Sequence, residues 1–206
     1  MARTKGGRHW MQEHLNDEYV IKAQKEGHRA RAIYKLMEMD ERDRLIKPGH
    51  YVVDLGAAPG SWSEYAAQKV AKNGRVFALD LLEIDPIPGV EFIQGDFRSD
   101  EVLEQLMGLI ENHPVDLVMS DMAPNISGMR AVDQPRAMYL AELSHELAKT
   151  VLKPGGDLLI KIFNGEGLDE FKKQLREDFD KLIIRKPKAS RARSRENYLL
   201  ARGYNV

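Results

Sequence analysis

The sequence predicts an α/β fold: a doubly wound, mostly parallel sheet of seven strands with one antiparallel strand. Three observations carry that expectation. From Tyr51 onward, short apolar runs alternate with amphipathic stretches of helical length. Tyr51 to Trp62 reads as a buried strand, a turn bearing Gly56 and Gly60, and the start of a helix. Near the end the alternation fails: the basic stretch from Pro187 to Arg195 joins strand Glu196–Arg202 with no helix between, so the last two strands should be antiparallel neighbours.

The elements follow in order. His9 to Gly27 is polar and mixed in charge, with a helix expected from about Trp10 or Asp17. A better-patterned helix runs from Ala30 to about Asp43, with Ile33, Leu36 and Met37 as its apolar stripe and Lys35 on its flank. After strand Tyr51 to Val53 come helix Ser61–Ala71, strand Arg75–Asp80, strand Val90–Gln94 and helix Asp100–Asn112. Strand Val115–Ser120, helix Gln134–Leu152, strand Asp157–Phe163, helix Leu168–Phe179 and strand Lys181–Lys186 complete the alternation. Lys153-Pro154-Gly155-Gly156 stops the long helix.

The 206 residues are expected to form one domain with a single core, preceded by a basic segment over about residues 1–28. The chain has no cysteine, which removes disulfides, zinc-thiolate sites and thiol nucleophiles; no metal is expected. The basic amino terminus is followed by no apolar signal core, and no run is long enough to span a membrane. The expectation is a cytoplasmic, monomeric protein without a membrane partner.

The net charge of −1 hides segregation. Residues 1–35 hold eight Lys and Arg against four acids, residues 36–180 fifteen against twenty-seven, and residues 181–206 eight against one. If the two ends meet in the fold they make a basic face suited to a phosphate backbone; if not, they are solvated tails.

The turn after the first strand narrows the ligand. Its glycines do not have the spacing of the dinucleotide fingerprint, because Ala57, Ala58 and Pro59 fill the middle. A pyrophosphate would find few free amides there, whereas an uncharged adenosine joined to an amino acid would fit, and S-adenosylmethionine is such a ligand.

In open parallel sheets the ligand crevice lies beyond the carboxyl ends of the strands, and four strands here end in a carboxylate. Asp54 closes the first strand, Asp80 the second, Asp96 follows the third beside Phe97, and Asp121 follows the fourth. Asp80 is placed for the two hydroxyls of a ribose, and Asp96 with Phe97 for an adenine amino group and ring. Singly, each could be a cap or turn residue.

Lys161 is the anomaly, an amine in the apolar run Leu158 to Phe163. It is either a lysine snorkelling from the strand end or a functional amine on the crevice. Glu196 opens an antiparallel strand and so starts at the same rim, although it could equally pair with Arg193 or Arg195. Lys35 by pattern alone is a surface partner of Glu38.

These residues form a set that resembles the FtsJ-like (RrmJ-type) 23S ribosomal RNA 2'-O-uridine methyltransferases. The matching stretches are Gln24 to Leu36, Val52 to Ser63, Gln94 to Phe97, Ser120 to Asn125, Pro135 to Leu140 and Ser190 to Glu196. The resemblance implies a Rossmann-like fold and transfer of a methyl group from S-adenosylmethionine to a ribose 2'-hydroxyl. The acceptor it implies is a uridine of large-subunit ribosomal RNA in the assembled subunit.

It implies a catalytic Lys-Asp-Lys-Glu group at Lys35, Asp121, Lys161 and Glu196. Cofactor contacts fall at Asp54, Gly56, Gly60, Trp62, Asp80, Asp96, Phe97 and Asp121. RNA contacts are expected at Arg29, Arg31, Arg191, Arg193 and Arg195. Ser61 stands where such sequences often carry a second glycine, a small-for-small exchange. Other readings of the same residues are methylation of transfer RNA or an mRNA cap, and a noncatalytic ribosome assembly factor. Base amino methylation is disfavoured because Asp121-Met122-Ala123-Pro124 stands where that chemistry uses Asn/Asp-Pro-Pro-aromatic.

Overall fold

The computed structural model describes residues 17–110, 113–191 and 194–205. Among these are seven strands: β1 (Tyr51–Leu55), β2 (Arg75–Asp80), β3 (Val90–Gln94), β4 (Val115–Ser120), β5 (Leu152–Phe163), β6 (Phe179–Arg185) and β7 (Glu196–Tyr204). They form one sheet in the order β3-β2-β1-β4-β5-β7-β6. The described pairings are parallel except where β7 lies between β5 and β6, antiparallel to both. The expected fold class and the antiparallel final pair are both observed.

Six α-helices among the described residues accompany them: α1 (Glu18–Glu26), α2 (Ile33–Asp43), α3 (Ser61–Val70), α4 (Asp100–Leu109), α5 (Arg130–Val151) and α6 (Leu168–Asp178). Period-two alternation decides which faces which. Val53, Leu55, Phe77, Leu79, Val118, Ile160 and Leu199 point to the layer containing α4, α5 and α6. Val52, Val76, Leu117, Met119, Leu159, Tyr198 and Leu200 point to the layer containing α1, α2 and α3. Each such side chain contributes about 1.5–3 kcal/mol by leaving water, so the sheet is clamped from both sides.

The ends of the elements have local causes. Asp17 caps α1 by accepting from the Tyr19 amide at 3.1 Å, and Gly27, with φ 75°, closes it. Ser99 caps α4, whose first turn carries Asp100 and Glu101 against the positive end of the helix dipole. An earlier start near Trp10 lies outside the described residues.

Two boundaries differ from expectation by about a helical turn or more, the others by three residues or fewer. Helix α5 begins at Arg130 rather than Gln134, so Pro135 lies inside it. The reason is the Asp133 carboxylate, which gathers the Ser127 and Gly128 amides just before the helix and anchors an extra turn. Strand β5 begins at Leu152 rather than Asp157. Its pairing with β4 shifts register between Val115 and Leu117, which absorbs the Pro-Gly-Gly stretch as an irregularity within the strand.

Candidate active site

The register of β5 against β7 builds the centre of the site. Lys161 lies opposite Tyr198, and Phe163 opposite Glu196. Directly opposed residues share a face, so Lys161, Tyr198 and Glu196 all point toward the α2–α3 layer. Lys161 Nζ is 2.7 Å from Asp121 Oδ1 and donates to the Asp121 carbonyl at 2.7 Å. The Lys161 side chain is 8% exposed, which settles its position: the amine turns inward to Asp121 and does not snorkel to water.

A second pair stands beside the first. Lys35 Nζ is 2.7 Å from Glu196 Oε1 and 5.7 Å from the centre of the Tyr198 ring. Lys35 therefore pairs across the molecule with Glu196 and not along its helix with Glu38; Glu38 instead accepts from the Lys188 amide at 2.7 Å. Burial alone would raise the Glu196 carboxyl, but Lys35, Lys161 and the Ser190 hydroxyl outweigh it and hold the group below its ordinary range.

Tyr198 joins the two pairs, and sequence reasoning missed it. Its hydroxyl donates to Asp121 Oδ1, the oxygen that also faces Lys161. Burial, and then the charges of Asp121 and Glu196, push the phenol well above its usual range, so it stays a donor. The signal that could have found it is period two along the strand: two residues after Glu196 is the same face.

Beyond the carboxyl ends of β1, β2 and β4 lies a cavity of about 630 Å³, within the range of small-molecule sites. Gly56, Asp80, Asp96, Phe97 and Asp121 line it. Gly56 has φ 71°, and a Cβ there would stand 2.2 Å from Met122 Cγ, so only glycine fits. Asp80 is aimed by backbone: Oδ2 accepts from the Ala58 amide and Oδ1 from the Leu82 amide, both at 2.8 Å. One lone pair on each oxygen is left for a ligand.

Asp96 is held differently. Arg98 Nε lies 2.8 Å from Oδ1 and 2.9 Å from Oδ2, and Arg98 Nη2 also binds Oδ2. That contact keeps the Asp96 carboxyl below its ordinary range. The same cavity wall carries Arg136 and Tyr139.

Three expected cofactor residues stand behind the cavity and do not line it. Asp54 is buried and accepts from Ser63 Oγ at 2.6 Å. Burial, reinforced by Asp121 and Asp80 and opposed by the Ser63 bond, pushes its carboxyl up to about 7. Gly60, with φ 100°, lets α3 begin against Ile87. Trp62 is buried, donates its indole N–H to the Ala32 carbonyl at 2.8 Å and packs 5.7 Å from Tyr198.

The described parts of the two basic ends converge. Arg31 pairs with Asp17 and donates to the Ala189 carbonyl; Arg191 Nε reaches the same Asp17 carboxylate at 3.4 Å. Arg29 donates to the carbonyls of Pro59 at 3.3 Å and Pro86 at 3.1 Å, strapping the α1–α2 connection to the turn after β1. Arg195 is exposed next to Glu196, and Arg193 lies outside the described residues. No cluster of three or more His, Cys, Asp or Glu suited to a metal occurs among the described residues. No described helix is long and apolar enough to cross a membrane.

The donor set suits one kind of ligand. Acids at Asp80, Asp96 and Asp121 repel a pyrophosphate but accept from hydroxyls and amines and favour a cation. An adenosine bearing a sulfonium and an amino group meets those requirements.

Comparison with known proteins agrees. The FtsJ-like methyltransferase family model matches residues 28–204. A relative from Legionella pneumophila (strain Corby), named ribosomal RNA large subunit methyltransferase E, is 58% identical over 206 residues, covering 100% of both chains. A relative of the same name from Pseudomonas aeruginosa (strain PAO1) is 59% identical over 204 residues, covering 99% of each. A crystal structure described as a ribosomal RNA methyltransferase from Plasmodium falciparum superposes with a TM-score of 0.76 at 28% identity. It covers 86% of this chain and 98% of that one.

Proposed function

The chain belongs to the FtsJ-like methyltransferase family, and from that membership we propose that it methylates the ribose 2'-hydroxyl of a uridine in large-subunit ribosomal RNA, within the assembled subunit, using S-adenosylmethionine. Residues 1–206 act as one catalytic domain, monomeric and cytoplasmic. The observation that carries the reading is the 2.7 Å pairing of Lys161 with Asp121, the latter on the wall of the cavity.

When bound, S-adenosylmethionine supplies a methyl group made electrophilic by the sulfonium. Asp80 would hold the ribose hydroxyls of that cofactor through its free lone pairs, and Asp96 with Phe97 would hold its adenine. Gly56 keeps the turn close, while Asp54, Gly60 and Trp62 shape the wall from behind.

Lys161 orients the acceptor hydroxyl and takes its proton at Nζ. The proton goes to the lone pair of the uncharged amine, and the two contacts to Asp121, through Oδ1 and the carbonyl, fix the direction of that amine. Asp121 fixes the amine through Oδ1 and its carbonyl, and Tyr198 fixes Asp121. Lys35 and Glu196 neutralise each other beside them. Arg29, Arg31, Arg191, Arg193 and Arg195 lead the RNA backbone to this opening.

The test offers labelled S-adenosylmethionine to naked ribosomal RNA and to large subunits lacking the modification, followed by mapping of the labelled sugar. Label at one uridine ribose, favouring the subunit, is expected. Label on a base, on transfer RNA alone, or on nothing would overturn the reading.

A further inference from the structure

Segment 122–129 runs from Asp121 to the start of α5. Its first part, Met122 to Asn125, lines the cavity. Its second part exposes two large apolar side chains, Ile126 at 63% and Met129 at 62%. The turn that carries them is tied down. Asp133 Oδ1 accepts from the Ser127 amide and hydroxyl at 2.8 and 2.7 Å, and Oδ2 accepts from the Gly128 amide at 3.0 Å. Ser127 Oγ in turn accepts from the Met129 amide at 3.2 Å. The Ser127 bonds foremost keep the Asp133 carboxyl below its ordinary range.

A braced turn that holds isoleucine and methionine in water is shaped for a partner. The surroundings say which kind. Arg130 follows Met129 directly, and Arg136, exposed on the cavity wall, is close enough to influence Asp133. Asp133, the acid that follows in α5, already has both oxygens engaged by the turn. Apolar surface bordered by guanidinium groups and continuous with the cavity suits the flat face of a nucleobase with phosphates beside it.

We propose that Ile126 and Met129 form a platform for an unstacked base adjoining the acceptor nucleotide, with Arg130 and Arg136 on the neighbouring phosphates. The inference rests on the reading of the chain as an RNA ribose methyltransferase. A ribose can reach the nearly buried Lys161 only if its nucleotide leaves the stack, and the adjoining base then loses a neighbour. The platform replaces that neighbour, so the turn reads an extruded, single-stranded segment and not a duplex.

The test is the double variant Ile126→Ser/Met129→Ser, with Ile126→Leu/Met129→Leu as the conservative control. Expected in the serine variant are an unchanged melting temperature and cofactor affinity, and a KM for RNA raised about tenfold, as for loss of the apolar contact two half-covered side chains make, with kcat nearly constant. Without cofactor, 2-aminopurine placed beside the acceptor in an RNA oligonucleotide should brighten on binding, as it leaves its neighbouring bases for the aliphatic platform; that rise should be lost in the serine variant and kept in the leucine variant. A KM within twofold of the parent and an unchanged fluorescence rise overturn the platform. So does a defect confined to assembled subunits with naked RNA unaffected, which would assign the patch to a protein surface. A fluorescence rise that depends on Ile126 and Met129 in a protein that methylates no ribose would retain the platform and remove only the catalytic reading.

Discussion

At the Lys161 end of the rim each charge is met by another charged or phenolic side chain: Lys161 by Asp121, Lys35 by Glu196, and Asp121 again by Tyr198. At the Asp80 end the carboxylates are met by backbone amides and by one surface arginine, Arg98. The first region is set before any RNA arrives, because a buried pair broken on one side leaves an uncompensated charge, costing about 3–5 kcal/mol. The second is open and half-solvated, and its acids keep lone pairs or exchangeable partners. A site that must place a hydroxyl accurately yet release its cofactor after every turnover benefits from that division.

The sharpest break of this contrast is Lys161→Ala. Methyl transfer should fall by roughly 10²–10⁴-fold, the usual range for a positioned proton-transfer group, while cofactor affinity measured by calorimetry moves less than about threefold. Near-normal turnover would place the chemistry elsewhere. Asp80→Ala should show the opposite profile. Loss of a charged hydrogen-bond acceptor should weaken S-adenosylhomocysteine binding by about 10–100-fold, with kcat at saturating cofactor largely kept. Equal losses in binding and kcat would erase the distinction between the two regions.

The smallest expected effect concerns Asp54, which sits behind both. Its folded pKa of about 7 exceeds that of an unfolded aspartate, ~3.9. A raised folded value means the contribution to stability is fully present below about pH 4 and is lost as pH rises through about 7. Asp54→Asn should therefore flatten the decline of stability between about pH 4 and pH 7, by up to a few kcal/mol. A parallel decline in both proteins would show that Asp54 is ionised throughout.

Strand identities were legible because buried parallel strands write themselves as short β-branched runs. The four terminal acids were legible because sheet topology dictates where polar residues serve a ligand. What escaped depended on distance in the chain. Lys35 looked like a partner for Glu38 because helical spacing is local, and nothing within the helix shows that β7 starts beside it. Asp54 looked like a cofactor ligand because its position at a strand end is visible but its bond to Ser63 is not. Tyr198 was hidden as one more apolar strand residue until its cross-strand partner was known to be Lys161. The start of α5 was obscured by Pro135, which normally marks a first turn; the Asp133 anchor overrides it.

The placement of β7 between β5 and β6 has a consequence for how the protein comes into being. On a growing polypeptide β6 emerges before the strand that attaches it to the sheet, and Glu196 and Tyr198 arrive after every other described strand. Until β7 is in place, Asp121 lacks its phenolic donor and Lys35 its counter-ion. The strand that completes the reaction centre is therefore the last described one to be synthesised.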